Sequence, residues 1–343
     1  MKRLLNTLYV LSDDAYLSID GENVAVRKGQ TTAGRFPLHT LEAIQCFTYK
    51  GASPSLMGAC AKRGIELTFF SPRGRFLARA TGMSNGNVLL RRRQYELAGN
   101  DGARCEIARS ILTGKLFNAR WVLERAKRDH PLQIDVKRIA ARCSELARYL
   151  CDARSAESVE SLMGIEGAAA RSYFDVFNEL IVAQKDEFGF NGRSRRPPLD
   201  RVNAMLSFGY SLLSGSYASA LEGVGLDAYV GYLHADRPGR TSLALDMVEE
   251  LRSVFVDRLV LSCINRRVVG PDDFDMSQNG AVRLNGEGRK AFLRAWQKKK
   301  QDVIRHPYLE EKVPWGLVPH VQAMLLARCM RGDLDGYPPF LWK

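Results

Sequence analysis

Ala108-Arg109-Ser110-Ile111-Leu112-Thr113-Gly114-Lys115-Leu116-Phe117-Asn118-Ala119-Arg120-Trp121-Val122-Leu123-Glu124-Arg125-Ala126 repeats its apolar residues at steps of three and four. Ala108, Ile111, Leu112, Leu116, Ala119, Val122, Leu123 and Ala126 make one stripe, the mark of a long helix with a buried face. Similar stripes run over Val159 to Phe177, Val202 to Leu213 and Met247 to Leu259. Upstream the period is shorter. Tyr9, Leu11, Tyr16, Leu17 and Ile19 alternate up to a turn signal at Asp20-Gly21, after which Val24 and Val26 resume the pattern. Ala43 to Phe47 and Ile65 to Phe70 also read as strands. Ser71-Pro72-Arg73-Gly74 turns the chain before a further run, Arg75 to Ala80. Ser53 to Arg63 is a short helix, with Ser53 or Ser55 as N-cap and Leu56, Ala59 and Cys60 on one face. The fold class is therefore α+β, a small N-terminal β-rich domain followed by a larger all-α C-terminal domain. The expected divisions are 1–83 for the first, 84–94 for a linker and 95–343 for the second.

A chain of 343 residues is long enough for two domains. Its 50 Lys and Arg against 38 Asp and Glu give a net charge of +12, which favours a polyanionic partner. Of the two common polyanions, nucleic acid fits better than a membrane face, because no stretch approaches the roughly 20 apolar residues of a span. Met1-Lys2-Arg3-Leu4-Leu5 briefly imitates a signal peptide, but Asp13 and Asp14 interrupt the apolar run, so a cytoplasmic protein is expected. The seven cysteines are odd in number, widely spaced and form no CxxC pair, against both a disulfide framework and a zinc ribbon.

Five histidines limit the choice of ligand. His39 enters a strand-like run, His130 ends a helix beside Pro131, and His306 and His320 each adjoin a proline. His234 stands apart. It precedes Ala235-Asp236-Arg237-Pro238-Gly239-Arg240, and Thr241 or Ser242 can then cap a new helix. On that helix Asp246 and Glu249 are three apart and share a face, with Met247, Val248, Leu251, Val254 and Phe255 opposite. A histidine on a loop facing two helical carboxylates suits Mg²⁺ or Mn²⁺. The plain alternative is a solvated acidic face with a weak Glu249–Arg252 pair. Glu166, in Gly164-Ile165-Glu166-Gly167, falls within the apolar stripe of Val159, Leu162, Ala169 and Tyr173. A carboxylate there needs a partner, and its flanking glycines leave room for one: a metal, a phosphate backbone or a closely packed helix. Arg237 and Arg240 bracket the Pro-Gly turn and could hold a phosphate beside His234. Arg91 to Arg93, Arg193 to Arg196, Arg266-Arg267 and Lys298 to Lys300 are further basic runs. Neither a Gly-x-Ser-x-Gly elbow nor a dinucleotide or P-loop fingerprint is present.

Taken in order, these segments resemble the CRISPR-associated integrase family of spacer acquisition, CRISPR-associated protein one. The resemblance is carried by Pro37 to Ile44, Gly164 to Arg171, and Pro198 with Asn203 to Leu213. It continues through Gly231 to His234, Gly239 to Leu243, Asp246 and Glu249. The general look is that of subtype I-C. The resemblance implies a metal-dependent DNA integrase and endonuclease that inserts short DNA spacers into the CRISPR array with a 3′-hydroxyl as nucleophile. It implies Glu166, His234 and Glu249 as ligands of Mg²⁺ or Mn²⁺, with Asp246 supporting them. Arg171, Arg237, Arg240 and Arg252 are the expected DNA contacts. The expected partners are double-stranded DNA (prespacer and array), a second copy paired through the β-domain, and a small ferredoxin-like adaptation protein completing a heterohexamer. A non-catalytic DNA-binding scaffold is the alternative.

Overall fold

Strand-forming and helix-forming sequence segregate into two units. The computed structural model describes residues 6–71, 76–80, 82 and 87–343. The Met1 to Leu5 start, most of the Ser71 to Gly74 turn, Arg75 and the 83–86 boundary lie outside the described residues. One unit comprises Met1–Asn85 with Trp296–Asp302, the other Gly86–Ala295 with Val303–Lys343.

In the first unit the strands are β1 (Thr7–Val10), β2 (Ala15–Asp20), β3 (Asn23–Lys28), β4 (Thr31–Pro37) and β5 (Ala43–Cys46). Helix α1 (Pro54–Arg63), β6 (Glu66–Phe70) and β7 (Phe76–Ala80) follow. One sheet has the order β1-β5-β6-β7, with β5 parallel to both β1 and β6, and β7 antiparallel to β6. The other is the antiparallel meander β2-β3-β4. Asp20 pairs with Asn23 across the first hairpin, where Gly21 takes φ +58°, a left-handed conformation that glycine tolerates. Leu17, Val24, Leu38, Ile44, Leu56 and Leu67 are fully buried in the core. Each such side chain contributes about 1.5–3 kcal/mol on leaving water. The Ser53 hydroxyl caps α1 by accepting the Leu56 N–H at 3.2 Å, and Gly64 at φ +63° ends it. His39 lies in a 3₁₀ turn, Leu38–Thr40, between β4 and β5 rather than at a strand entry.

The helical unit opens with α2 (Val88–Ala98), so 88–94, expected as linker, are helical. The Asn87 side chain starts the helix by accepting the Leu89 and Leu90 N–H groups. Then come α3 (Asp101–Asp129), α4 (Val136–Ser155), α5 (Val159–Asp175), α6 (Arg201–Gly223) and α7 (Ser242–Leu251). A π-turn, Arg252–Asp257, runs on from α7 into α8 (Arg258–Asn265). Beyond it lie the pair β8 (Phe274–Met276) and β9 (Val282–Leu284), and α9 (Gly286–Gln301), whose residues from Trp296 on belong to the first unit. The pair β10 (Val303–Arg305) and β11 (Lys312–Pro314), then α10 (Val318–Arg331), complete the unit. It is thus mostly helical but carries two short antiparallel ladders. No helix among the described residues is long and apolar enough to cross a membrane.

Helix α7 is buried all round, including Asp246, Glu249 and Glu250, so these acids do not form a solvated face. It packs against α3 and α6. Gly114 permits the close approach of α3, since a Cβ there would meet Glu250 Cγ at 3.1 Å. Neither Thr241 nor Ser242 caps α7 with its side chain. The Ser242 hydroxyl instead donates to the Ala235 carbonyl at 3.1 Å, tying the helix start to the loop that carries His234.

Candidate metal centre

Three helices of the second unit converge on one ammonium group. Lys115 sits on the buried stripe of α3, Glu166 on α5 and Glu249 on α7. The Lys115 Nζ donates to Glu166 Oε1 and lies 2.6 Å from Glu249 Oε2. Glu249 is 2% exposed and Lys115 13%, against 30% for Glu166, so the pair is open to solvent from the Glu166 side. Arg252, at the start of the π-turn, approaches the other Glu249 oxygen at 3.2 Å. Burial opposes ionisation of Glu249. The Arg252 guanidinium, then Lys115 and His234, outweigh it and hold the carboxyl at about 2.

His234 is held from the opposite end of α7. Its Nδ1 is 2.6 Å from Asp246 Oδ1. The Asp246 carboxylate also accepts the N–H groups of Tyr232, Leu233 and His234, at 2.6, 3.0 and 2.9 Å. Four short contacts saturate a fully buried carboxylate, which makes Asp246 an orienting group rather than a ligand. With Nδ1–H given to Asp246, the Nε2 lone pair is left for a ligand. The loop itself is pinned by Arg104, whose Nε donates to the Tyr232 carbonyl at 2.9 Å. The Gln94 amide pairs in both directions with Asp227.

A cleft runs from Lys115, Glu166 and Glu249 past Arg195 to Tyr210 and Asp257. There Tyr210 and Tyr173 donate to the two Asp257 oxygens at 2.6 and 3.0 Å. Burial raises Asp257 to about 6, and these bonds only partly offset it. Arg252 stacks over the Tyr210 ring at 4.8 Å. Around Glu166, a Cβ at Gly164 would meet nothing within 4 Å, and one at Gly167 only the Arg171 guanidinium at 3.8 Å. The glycines therefore face open space, not a packed helix.

The structure brings Glu166 and Glu249 together through Lys115 and puts His234 within electrostatic reach of Glu249. It does not gather the three at metal-ligand spacing: among the described residues no group of three His, Cys, Asp or Glu could hold an ion. The donor chemistry nonetheless fits a divalent cation. Two carboxylates already share one cation, and Glu249 Oε2 is buried with no aligned hydrogen bond despite the nearby ammonium. Of the arginines, Arg171 and Arg237 are exposed and Arg240 half-buried, whereas Arg252 is committed to Glu249. Arg193 is spent on Asn203, Ser207 and the Ser194 carbonyl. Lys115, Tyr210 and Asp257 escape a search for histidines and acid pairs. Lys115 did carry a signal, being a charge between Ile111 and Ala119 on an otherwise apolar stripe.

Fold and site together define a two-unit α+β protein whose helical part bears an acid-and-imidazole centre beside basic side chains. The family model described as CRISPR associated protein Cas1 matches residues 8–298. A relative from Chlorobaculum tepidum, CRISPR-associated endonuclease Cas1 1, is 49% identical over 343 residues, 100% of both chains. Among solved structures, a casposase bound to integration product has a TM-score of 0.84 at 21% identity, covering 98% of this chain and 94% of that one. A Cas6-RT-Cas1–Cas2 complex reaches 0.82 at 23% identity over 98% of this chain and 36% of that one. The chain belongs to the CRISPR-associated protein Cas1 family.

Proposed function

We propose that this protein is a metal-dependent DNA integrase and endonuclease of CRISPR adaptation. The observation that carries the reading is the convergence of Glu166 and Glu249 on one cation position, beside an imidazole oriented by Asp246. Family membership and a curated relative called an endonuclease support it. In the reaction, the 3′-oxygen of a short DNA attacks a phosphodiester of the array. A P–O bond forms, the bond to the array's 3′-oxygen breaks, and that oxygen takes up a proton. With water as nucleophile the same centre cleaves DNA.

Glu166, His234 Nε2 and Glu249 would hold Mg²⁺ or Mn²⁺, which lowers the nucleophile's pKa and neutralises charge on the phosphate. Asp246 keeps the imidazole in the tautomer that presents Nε2. Arg171, Arg237 and Arg240 grip phosphates near the centre, and Arg252 acts by holding Glu249 ionised. The net charge of +12 supplies affinity along the duplex. The working assembly is a homodimer joined through the N-terminal β unit. It binds the small ferredoxin-like adaptation protein, in line with the Cas1–Cas2 pairing of the structural neighbour. The finer assignment is subtype I-C, tested by the genes and repeats beside this one.

Alanine at Glu166, His234 or Glu249 should abolish metal-dependent cleavage and spacer joining while duplex binding stays within a few-fold, since spread basic residues supply the affinity. Cleavage that survives Glu166→Ala would refute the site. Wild-type protein that binds duplex but never cuts or joins it with Mg²⁺ or Mn²⁺ would favour a scaffold. That second reading draws on the absence of a three-ligand cluster among the described residues.

A further inference from the structure

We infer that Lys115 is the resident counter-ion of the Glu166–Glu249 pair, so that a divalent cation enters by exchange with its ammonium and binds more tightly when DNA phosphate draws that ammonium away. The inference rests on the metal reading above and deepens it.

Three observations carry it. First, among the described residues Lys115 is the side chain that pairs with both carboxylates, donating to Glu166 and standing 2.6 Å from Glu249. Second, local charge is already balanced: two carboxylates face Lys115 and Arg252. A divalent ion added to that set leaves two positive charges uncompensated until the ammonium moves away and an anion arrives. Third, the stem of Lys115 rises from the buried stripe of α3 into the cleft that Arg195 also lines. The ammonium can therefore swing from the carboxylates toward a phosphate in the cleft without leaving its helix. Arg252 is held differently, paired with Glu249 alone of the two acids and stacked on the Tyr210 ring. Metal and DNA then help each other to bind, and by linkage the effect is reciprocal. Lys115 acts through the carboxylates and is a positioning residue.

The test is equilibrium Mn²⁺ binding to the full-length protein, read as free Mn²⁺ by electron paramagnetic resonance, with and without a short duplex. Wild type, Lys115→Met and Lys115→Gln are compared, and Glu166→Gln identifies binding at this site. Glutamine keeps a donor toward Glu166 and covers the case in which methionine fails to fold. Both Lys115 variants should bind Mn²⁺ at least about tenfold more tightly without DNA, because a like charge a few ångströms away is gone. The duplex should tighten Mn²⁺ several-fold in wild type and much less in the variants. Glu166-dependent binding of equal strength in wild type and both variants would overturn the exchange and leave the metal site standing. So would wild-type affinity that the duplex leaves unchanged. Mn²⁺ binding that Glu166→Gln does not weaken would overturn the metal reading and the exchange together.

Discussion

Asp246 and Glu249 lie one turn apart on α7 and are almost equally buried, yet their surroundings give them opposite work. Asp246 is saturated by three backbone N–H groups and the His234 ring. Glu249 is instead paired with two cations, Lys115 and Arg252. Asp246→Asn should therefore weaken metal binding and activity about 10–100-fold by loosening the imidazole, whereas Glu249→Ala should leave no activity. Full cleavage in Glu249→Ala with loss in Asp246→Ala would exchange the two roles. Asp257 offers a test by pH. Its value is raised from 3.8 to about 6, so between those values the folded state holds a proton that the unfolded chain has lost. Its contribution is complete below about pH 4 and is lost as pH rises through 6, a change on the order of 3 kcal/mol. The stability of wild type relative to Asp257→Asn, from urea unfolding, should fall by that order between pH 4 and pH 7; a flat difference would disprove it. At this scale the sequence marked Glu166 as a carboxylate in an apolar stripe that needs a partner, and the structure supplies Lys115. Lys115 poses the same demand on α3. It stayed hidden because a lysine is ordinarily read as reaching to solvent.

Among the elements, the long helices were legible because tertiary packing follows their stripes: every stripe residue from Ala108 to Leu123 is buried. Strand β4 was not, since only Gly34 along it is even half-buried and no alternation develops. Its place is set by ladder bonds to β3, which side-chain pattern does not encode. Residues 88–94 of α2 were taken for linker, Arg91-Arg92-Arg93 masking an apolar stripe reduced to Leu90. The π-turn after α7 lies within the stripe from Met247 to Leu259, which did not distinguish it from α-helix, and it packs against α3 and α6. That contact is testable. A Cβ at Gly209 would lie 2.6 Å from Val256 Cγ1, a stiff β-branched neighbour, while one at Gly164 meets open space. Gly209→Ala should destabilise by about 1–3 kcal/mol, and Gly164→Ala should gain up to about 1 kcal/mol from helix propensity. Urea midpoints that moved the two variants in the same direction would contradict the packing described.

For the whole molecule, charge and chemistry make separable contributions. Fifty Lys and Arg against 38 Asp and Glu leave a net charge of +12, which favours phosphate wherever it lies, a task indifferent to the end of the DNA. In the proposed reaction the centre between α3, α5 and α7 would have the narrower task of bringing one oxygen to one phosphorus. If that oxygen belongs to a DNA 3′-hydroxyl, short duplexes with ordinary 3′ ends should join a supercoiled plasmid carrying the array. The same duplexes ending in 3′-dideoxy nucleotides should bind with equal affinity and not join, because the missing oxygen is the nucleophile and contributes little to phosphate contact. Adding the small adaptation partner should raise joining far more than plain cleavage. In the proposed assembly joining would use two centres whose spacing the partner fixes, whereas cleavage would need one centre and water. Ca²⁺ in place of Mg²⁺ should preserve binding and depress joining, since its looser coordination positions the nucleophile poorly. Equal joining by dideoxy and ordinary duplexes would exclude the 3′-hydroxyl mechanism and leave a nuclease whose product ends are sealed by another route.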